Sequence, residues 1–248
     1  MKTSNYFTTK GIILNSSLVR ESDRLVSILT EDMGRVRAVA PGAHKISARL
    51  LCATEPGVES TLTFYDNTRN TYVARITGGV ILRTFPALKC GLERYLITSK
   101  ILEIVDSLLP EREPNTRKYS LVLRTLELLE IAGNGRRIYL AFVLRFLKLC
   151  GWGLELGACI KCGAAGPPGA LVFSLKEKGG LCPKCAGAPE DYGISGEAFL
   201  FLKKLAGKPG SEIEKISVAA ETEKKTADAV ESYLLEYIPR PLKSGMFV

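Results

Sequence analysis

Four cysteines carry the most specific chemistry in this chain. Cys159-Ile160-Lys161-Cys162 is followed by Cys182-Pro183-Lys184-Cys185, with 19 residues between the pairs. This C-x2-C-x19-C-x2-C spacing falls in the range of zinc ribbons and knuckles. Each C-x-x-C turn brings two thiolates to about 3.5–4 Å, the edge of a tetrahedron whose Zn–S bonds are about 2.3 Å. Gly163 and Gly187 lie just past the two pairs, where such turns often need a positive φ. Lys161 and Lys184 sit inside the turns and can offset thiolate charge. Four thiolates leave no open coordination position, so the expected cofactor is one structural zinc ion and not a catalytic one. Redox C-x-x-C pairs or disulfides are the alternative. No βαβ pattern surrounds the cysteines, and a reducing compartment is expected. Cys52, Cys90 and Cys150 sit beside apolar residues and read as small buried hydrophobes.

Other catalytic chemistry is scarce. The single histidine, His44, would have to serve as the base in any Ser-His-Asp or Cys-His arrangement, and multi-histidine metal sites are excluded. The chain has neither G-x-x-x-x-G-K-[ST] nor G-x-G-x-x-G. The expectation is a protein that binds and does not catalyse.

Charge suggests what it binds. Lys and Arg number 34 against 26 Asp and Glu, a net charge of +8. The surplus is uneven: residues 1–86 hold 11 basic and 7 acidic side chains, 87–150 again 11 and 7, and 151–248 hold 12 of each. A polyanionic partner for the first 150 residues follows, with nucleic acid ahead of an acidic membrane or peptide. The best local candidate runs from Arg35 to Arg49, where Arg35, Arg37, Lys45 and Arg49 could pair with phosphates. Tyr65 and Tyr72 flank the turn Asp66–Asn70 and could stack bases, or serve as core aromatics.

The elements that must position these groups fall in two blocks. Residues 8–85 read as β, with candidate strands at 10–18, 25–30, 35–40, 58–65, 72–77 and 79–85. Five or six short strands in about 80 residues suit a small barrel such as an OB-fold, and an SH3-like barrel would read similarly. After Pro86 the period becomes helical: Leu88, Leu92, Leu96, Ile101, Leu102, Val105 and Leu109 are in phase, and Pro110 ends the run. Asn115 reads as the N-cap of a helix over 116–131, Gly133-Asn134-Gly135 as a break, and 136–150 as a third helix. Two more helices are expected, at 196–206 after a Ser195 cap and at 223–238. Between them lies the cysteine module, with a short strand candidate at 171–175. The predicted class is an α+β multidomain protein: an N-terminal OB-fold β-barrel over 1–85, then a C-terminal helical bundle over 86–248 interrupted by a four-cysteine zinc module at about 151–189. No segment approaches the roughly 18–20 apolar residues that span a bilayer, and the N-terminal MKTSNYFTTKGIILNSS has only a four-residue apolar core, a poor signal peptide. A cytoplasmic protein without membrane partners is the expectation.

A series of short segments recurs in a recognisable order: Gly11-Ile-Ile-Leu14, Glu21-Ser-Asp-Arg24, Gly34-Arg-Val-Arg-Ala-Val-Ala-Pro-Gly-Ala43 with Arg49-Leu50, Phe85-Pro-Ala-Leu88, Leu108-Leu-Pro-Glu111 with Pro114-Asn115, and the four-cysteine module. On these segments the chain resembles, nearly end to end, the bacterial recombinational DNA repair family RecO. It implies an OB domain, a helical domain and an embedded zinc module. It implies binding of single- and double-stranded DNA and ATP-independent annealing of complementary strands. RecR, and often RecF, would help it load RecA onto strands coated by single-strand-binding protein, whose acidic C-terminal tail it would also contact at the nucleoid. Arg94, Lys100, Arg117, Lys118, Arg124, Arg136 and Arg137 supply cations for a second strand or for such a tail. Two departures stand out. Many relatives carry Ala-Lys-Gly-Ala-Arg-Arg after the third strand; here Pro41 replaces the Lys and His44 the first Arg, so the basic character shifts to Arg35, Arg37 and Arg49. Some relatives lack the cysteines, which ties zinc to stability and not to the family's activity. A docking adaptor without DNA activity and a nucleic-acid-modifying enzyme with structural zinc are the alternatives.

Overall fold

The computed structural model describes residues 6–45, 50–65, 73–165, 171–174, 176–186 and 196–244. They fall in two compact units, Met1–Ile131 with Ile238–Val248, and Ala132–Tyr237.

The first unit is built on a closed five-stranded barrel: β1 (Tyr6–Leu18), β2 (Arg24–Thr30), β3 (Gly34–Ala40), β4 (Glu59–Tyr65) and β5 (Ala74–Arg83), in the order β1-β2-β3-β5-β4. Long β1 makes closure possible. Its first half, from Tyr6 to Ile12, pairs with β4, its second half pairs with β2, and a bulge between Ile13 and Asn15 turns it from one neighbour to the other. Strict alternation points Val36, Ala38 and Ala40 of β3 inward beside Val26, Ile28, Leu62, Phe64 and Ile76. The same alternation turns Arg35 and Arg37 outward.

The strands expected at 72–77 and 79–85 are one strand in the structure. Gly78, left between the two expected strands, and Gly79, expected to open the second, both lie inside β5. A Cβ on Gly79 would come within 3.1–3.2 Å of Leu50, Ala53 and Leu62, so the glycine marks close packing and not a turn. The β4–β5 register shifts near the pair, between Thr63 and Phe64. Tyr72 and the turn at 66–70 lie outside the described residues.

A 3-10 turn (Pro86–Lys89), α1 (Leu92–Leu108) and α2 (Thr116–Ile131) complete this unit. Asn115 caps α2, its Oδ1 accepting the Lys118 N–H at 3.0 Å. Leu92, expected on the apolar stripe, is exposed because it opens α1 after Gly91. Behind the barrel, the buried Glu59 carboxylate accepts the Tyr119 hydroxyl at 2.7 Å and meets Arg83 at 3.2 Å, tying β4 and β5 to α2. Burial first, and the Glu59 carboxylate second, push the Tyr119 phenol above its ordinary range.

The second unit holds α3 (Gly135–Leu149), the hairpin β6 (Val172–Ser174) and β7 (Gly179–Leu181), α4 (Gly196–Gly207), the single turn α5 (Gly210–Ile213) and α6 (Ala220–Leu235). Asn134, read as part of a break, is the cap of α3: its side chain accepts the Arg137 N–H at 3.2 Å. Helix α6 begins and ends three residues earlier than the sequence pattern suggested. Ser195 and Leu175 lie outside the described residues.

Gly34 joins β3 to the segment after α1. Its φ is +72°, and a Cβ there would stand 2.1 Å from the Glu113 carbonyl oxygen. Gly42 has a similar φ of +66° but open space around it. Gly42→Ala should therefore cost only the left-handed strain, about 1–2 kcal/mol. Gly34→Ala should cost clearly more, because backbone must move as well. Thermal melts of the two variants side by side check this, with Gly34→Ala expected to melt several degrees lower.

Candidate functional site

The four cysteines come together. The Sγ atoms of Cys159, Cys162, Cys182 and Cys185 all lie within 4.8 Å of one another, and Cys162 and Cys182 are 3.7 Å apart. Two knuckles deliver them. Gly163, at φ +72°, closes the first by donating its N–H to the Cys159 carbonyl at 2.8 Å. In the second, the N–H groups of Cys185 and Ala186 both return to the Cys182 carbonyl, at 3.0 and 2.8 Å. The β6–β7 hairpin holds the knuckles in register, with Ile160 N–H bonded to Gly180 O at 2.9 Å. Gly187 lies outside the described residues.

The hairpin buries Phe173 and Leu181, and side chains of the same unit fasten it. Gly180 lies where a Cβ would come within about 3 Å of the Phe199 ring on α4. Lys178, at φ +58° in the hairpin turn, reaches the end of α6: its Nζ donates to the Tyr237 hydroxyl at 2.8 Å and lies 4.9 Å from the centre of that ring. Trp152 stacks on Tyr237 with ring centres 4.7 Å apart. No local sequence pattern signalled this clip.

Backbone N–H donation, from Cys182 first, draws the Cys159 thiol down to about 6, while the neighbouring thiols, Cys162 foremost, push Cys185 up to about 12. Lys161 pairs with Glu177 at 3.2 Å. A thiophilic divalent ion would be held by these four side chains and would leave no position for a substrate. Cys52 and Cys90 are exposed, contrary to the expectation of burial: Cys52 opens a second 3-10 turn (Cys52–Thr54), and Cys90 follows the one at Pro86–Lys89.

The basic stretch lies on the outer face of the barrel. Arg35 is anchored: its Nε donates to Leu109 O at 2.8 Å, Nη1 meets Asp106 at 3.1 Å, and Nη2 lies 3.6 Å from Glu111. Arg37 is half exposed and approaches Glu111 at 3.5 Å. Together with Asn15, Ser17 and Ser27 the two arginines line a shallow polar depression of about 210 Å³. The row Asn15–Ser27–Arg37 runs straight across β1, β2 and β3 as cross-strand neighbours. Lys45 is exposed at the end of the turn after β3. The turn is fixed from the β1–β2 connection: Asp23 Oδ1 accepts the Gly42 N–H at 2.8 Å and Ser22 O accepts the His44 N–H at 3.0 Å. Arg49 lies outside the described residues. Tyr65 packs against Tyr6 across the strands, ring centres 5.0 Å apart.

Among the helical cations, Lys100 and Lys118 are buried, and Arg137 is committed to Glu223 in a two-pronged pair at 2.9 and 2.7 Å. Arg117, Arg124 and Arg136 are exposed.

Two family models cover the chain almost completely. "Recombination protein O N terminal" matches residues 1–85 and "Recombination protein O C terminal" matches 91–246. This chain belongs to the RecO family. Its curated relatives carry the name DNA repair protein RecO. That of Roseiflexus sp. is 31% identical over 98% of this chain and 84% of its own length. That of Caldanaerobacter subterraneus is 24% identical over 98% and 97%. That of Frankia casuarinae is 33% identical over 72% and 73%. The RecO barrel is the OB-fold that the strand pattern suggested, and the RecO helical region carries the cysteine cluster. Among the described residues no helix is long and apolar enough to cross a membrane.

The metal reading predicts one tightly held divalent ion per chain. Cys159→Ser should abolish it and lower the melting temperature. Acidification should release it, because each freed ligand takes up a proton: retention at neutral pH and progressive loss as the pH is lowered. Metal analysis of protein dialysed across that range, with melts in parallel, checks both statements.

Proposed function

We propose that this chain is a recombination mediator that acts on DNA without catalysing a covalent step. The observation that carries the proposal is the polar depression on the β1–β2–β3 face, where Arg35 and Arg37 lie beside Asp106, the face that OB-folds commonly offer to oligonucleotides. Arg37, Lys45 and Arg49 are the proposed phosphate contacts. Arg35 belongs to the same face and positions the strand that carries Arg37. Tyr65, paired with Tyr6 near the connection to β5, is a candidate stacking platform. Single strands and duplexes would both be bound, because phosphate pairing is independent of sequence.

Annealing follows from the same physics. Cations that neutralise two strands lower the repulsion between them, so complementary bases meet without ATP. Arg117, Arg124 and Arg136 are the exposed helical candidates for a second strand or for the acidic tail of single-strand-binding protein. Action with RecR, and with RecF, to load RecA onto coated strands is the role the family membership supports, in the cytoplasm. The barrel over 1–85 and the helical part over 86–248 are the proposed working divisions, with the cysteine module at 151–189 as a structural insert. Cys159, Cys162, Cys182 and Cys185 would hold one zinc ion, which joins two knuckles and supplies no reacting group.

The test is annealing of two complementary oligonucleotides, bare and coated, without ATP. Acceleration that fades with salt is expected. Arg37→Ala and Lys45→Ala should each slow it several-fold and reduce the salt slope by about 0.7 per lost single-strand contact. Cleavage of either strand, or no acceleration at low salt, would reject the mediator reading.

A further inference from the structure

The two arginines of the barrel face differ in freedom, and one carboxylate lies between them. Arg35 is held by a carbonyl and two carboxylates, its side chain 17% exposed. Arg37 is 46% exposed, and its guanidinium meets Glu111 Oε1 at 3.5 Å. The same oxygen stands 3.6 Å from Arg35 Nη2. Backbone delivers this carboxylate. Glu111 forms a parallel bridge with Arg35, and the Arg112 N–H donates to the Arg35 carbonyl at 2.8 Å.

An anionic oxygen shared by two guanidinium groups is the arrangement a phosphodiester makes with paired arginines. Both separations exceed the roughly 2.7–2.9 Å of a strong charge-assisted bond, so the Arg37 pair is loose. Arg35 has no such latitude, because its other two partners fix it.

We infer that Glu111 is a built-in phosphate mimic. It occupies Arg37 while the face is free, and a backbone phosphate of a single strand displaces it. The inference rests on the reading of this face as the DNA-binding surface. Its consequence is a grip weaker than the cations alone would give, which keeps exchange between strands fast. Pre-pairing with Glu111 also holds the Arg37 side chain over the depression.

The experiment is fluorescence anisotropy of a labelled single-stranded oligonucleotide with the full chain at low salt. Glu111→Gln should bind about 2- to 5-fold tighter, the range set by a partly exposed ion pair. Glu111→Asp, which keeps the charge but withdraws it, should fall between wild type and Glu111→Gln. In an Arg37→Ala background the Glu111→Gln gain should disappear. Glu113→Gln removes the same charge two residues along and should change affinity by less than about half the Glu111→Gln effect. The inference is overturned if Glu111→Gln binds no tighter than wild type, if the gain survives without Arg37, or if Glu113→Gln reproduces it. Wild-type protein that fails to bind the oligonucleotide overturns the binding reading itself, a result distinct from binding that ignores Glu111.

Discussion

Gly34 and the Glu113 backbone pass so closely that no side chain fits between them, and from that crossing a short parallel association runs on through Arg35 and Glu111. The barrel and the end of α1 are thereby locked at one point of β3. Because the side-chain period of a strand is two, fixing Gly34 fixes which β3 residues face out. Arg35 then drops onto the Leu109 carbonyl and Asp106, while Arg37 is carried to the open depression. Asp106 serves twice, since it also accepts the Ser27 hydroxyl at 2.5 Å and so anchors β2 beneath the same face. A basic barrel surface thus depends on acidic side chains from helical and loop segments that hold it in shape.

The cysteine module answers a different constraint. Strands of three residues each are too short to be stable alone, although Phe173 and Leu181 are buried. Four converging sulfurs add to that small core, with Phe199 under Gly180 and the Lys178–Tyr237 clip as further supports. With Lys161 drawn away to Glu177, a bound dication is the natural way to neutralise the cluster. Such a site confers rigidity.

Much of this was legible from the residues. Alternation in β3 and β4, the period change after Pro86, the Asn115 cap and the cysteine spacing each depend on near neighbours, and each appears in the structure. What escaped depends on distant partners. Gly78 reads as a break between two strands unless the packing of Leu50, Ala53 and Leu62 against Gly79 is known. Lys100 and Lys118 read as surface cations, yet both lie buried, since a helix can lay a long aliphatic stem along apolar neighbours. Gly34–Ala43 and Leu108–Glu111 both stood out as family segments, but nothing local showed that they touch or that Arg35 would be consumed by the contact. Pairs some seventy residues apart leave no periodic trace in a single sequence.

The central claim is that the outer face of β1, β2 and β3 grips the phosphate backbone. Amide hydrogen exchange with and without a single-stranded oligonucleotide tests it most directly. Protection concentrated in Arg24–Thr30, Gly34–Ala40 and residues 41–45 is the predicted result. Binding that protects only residues within Ala132–Tyr237, with the barrel strands unchanged, would contradict it.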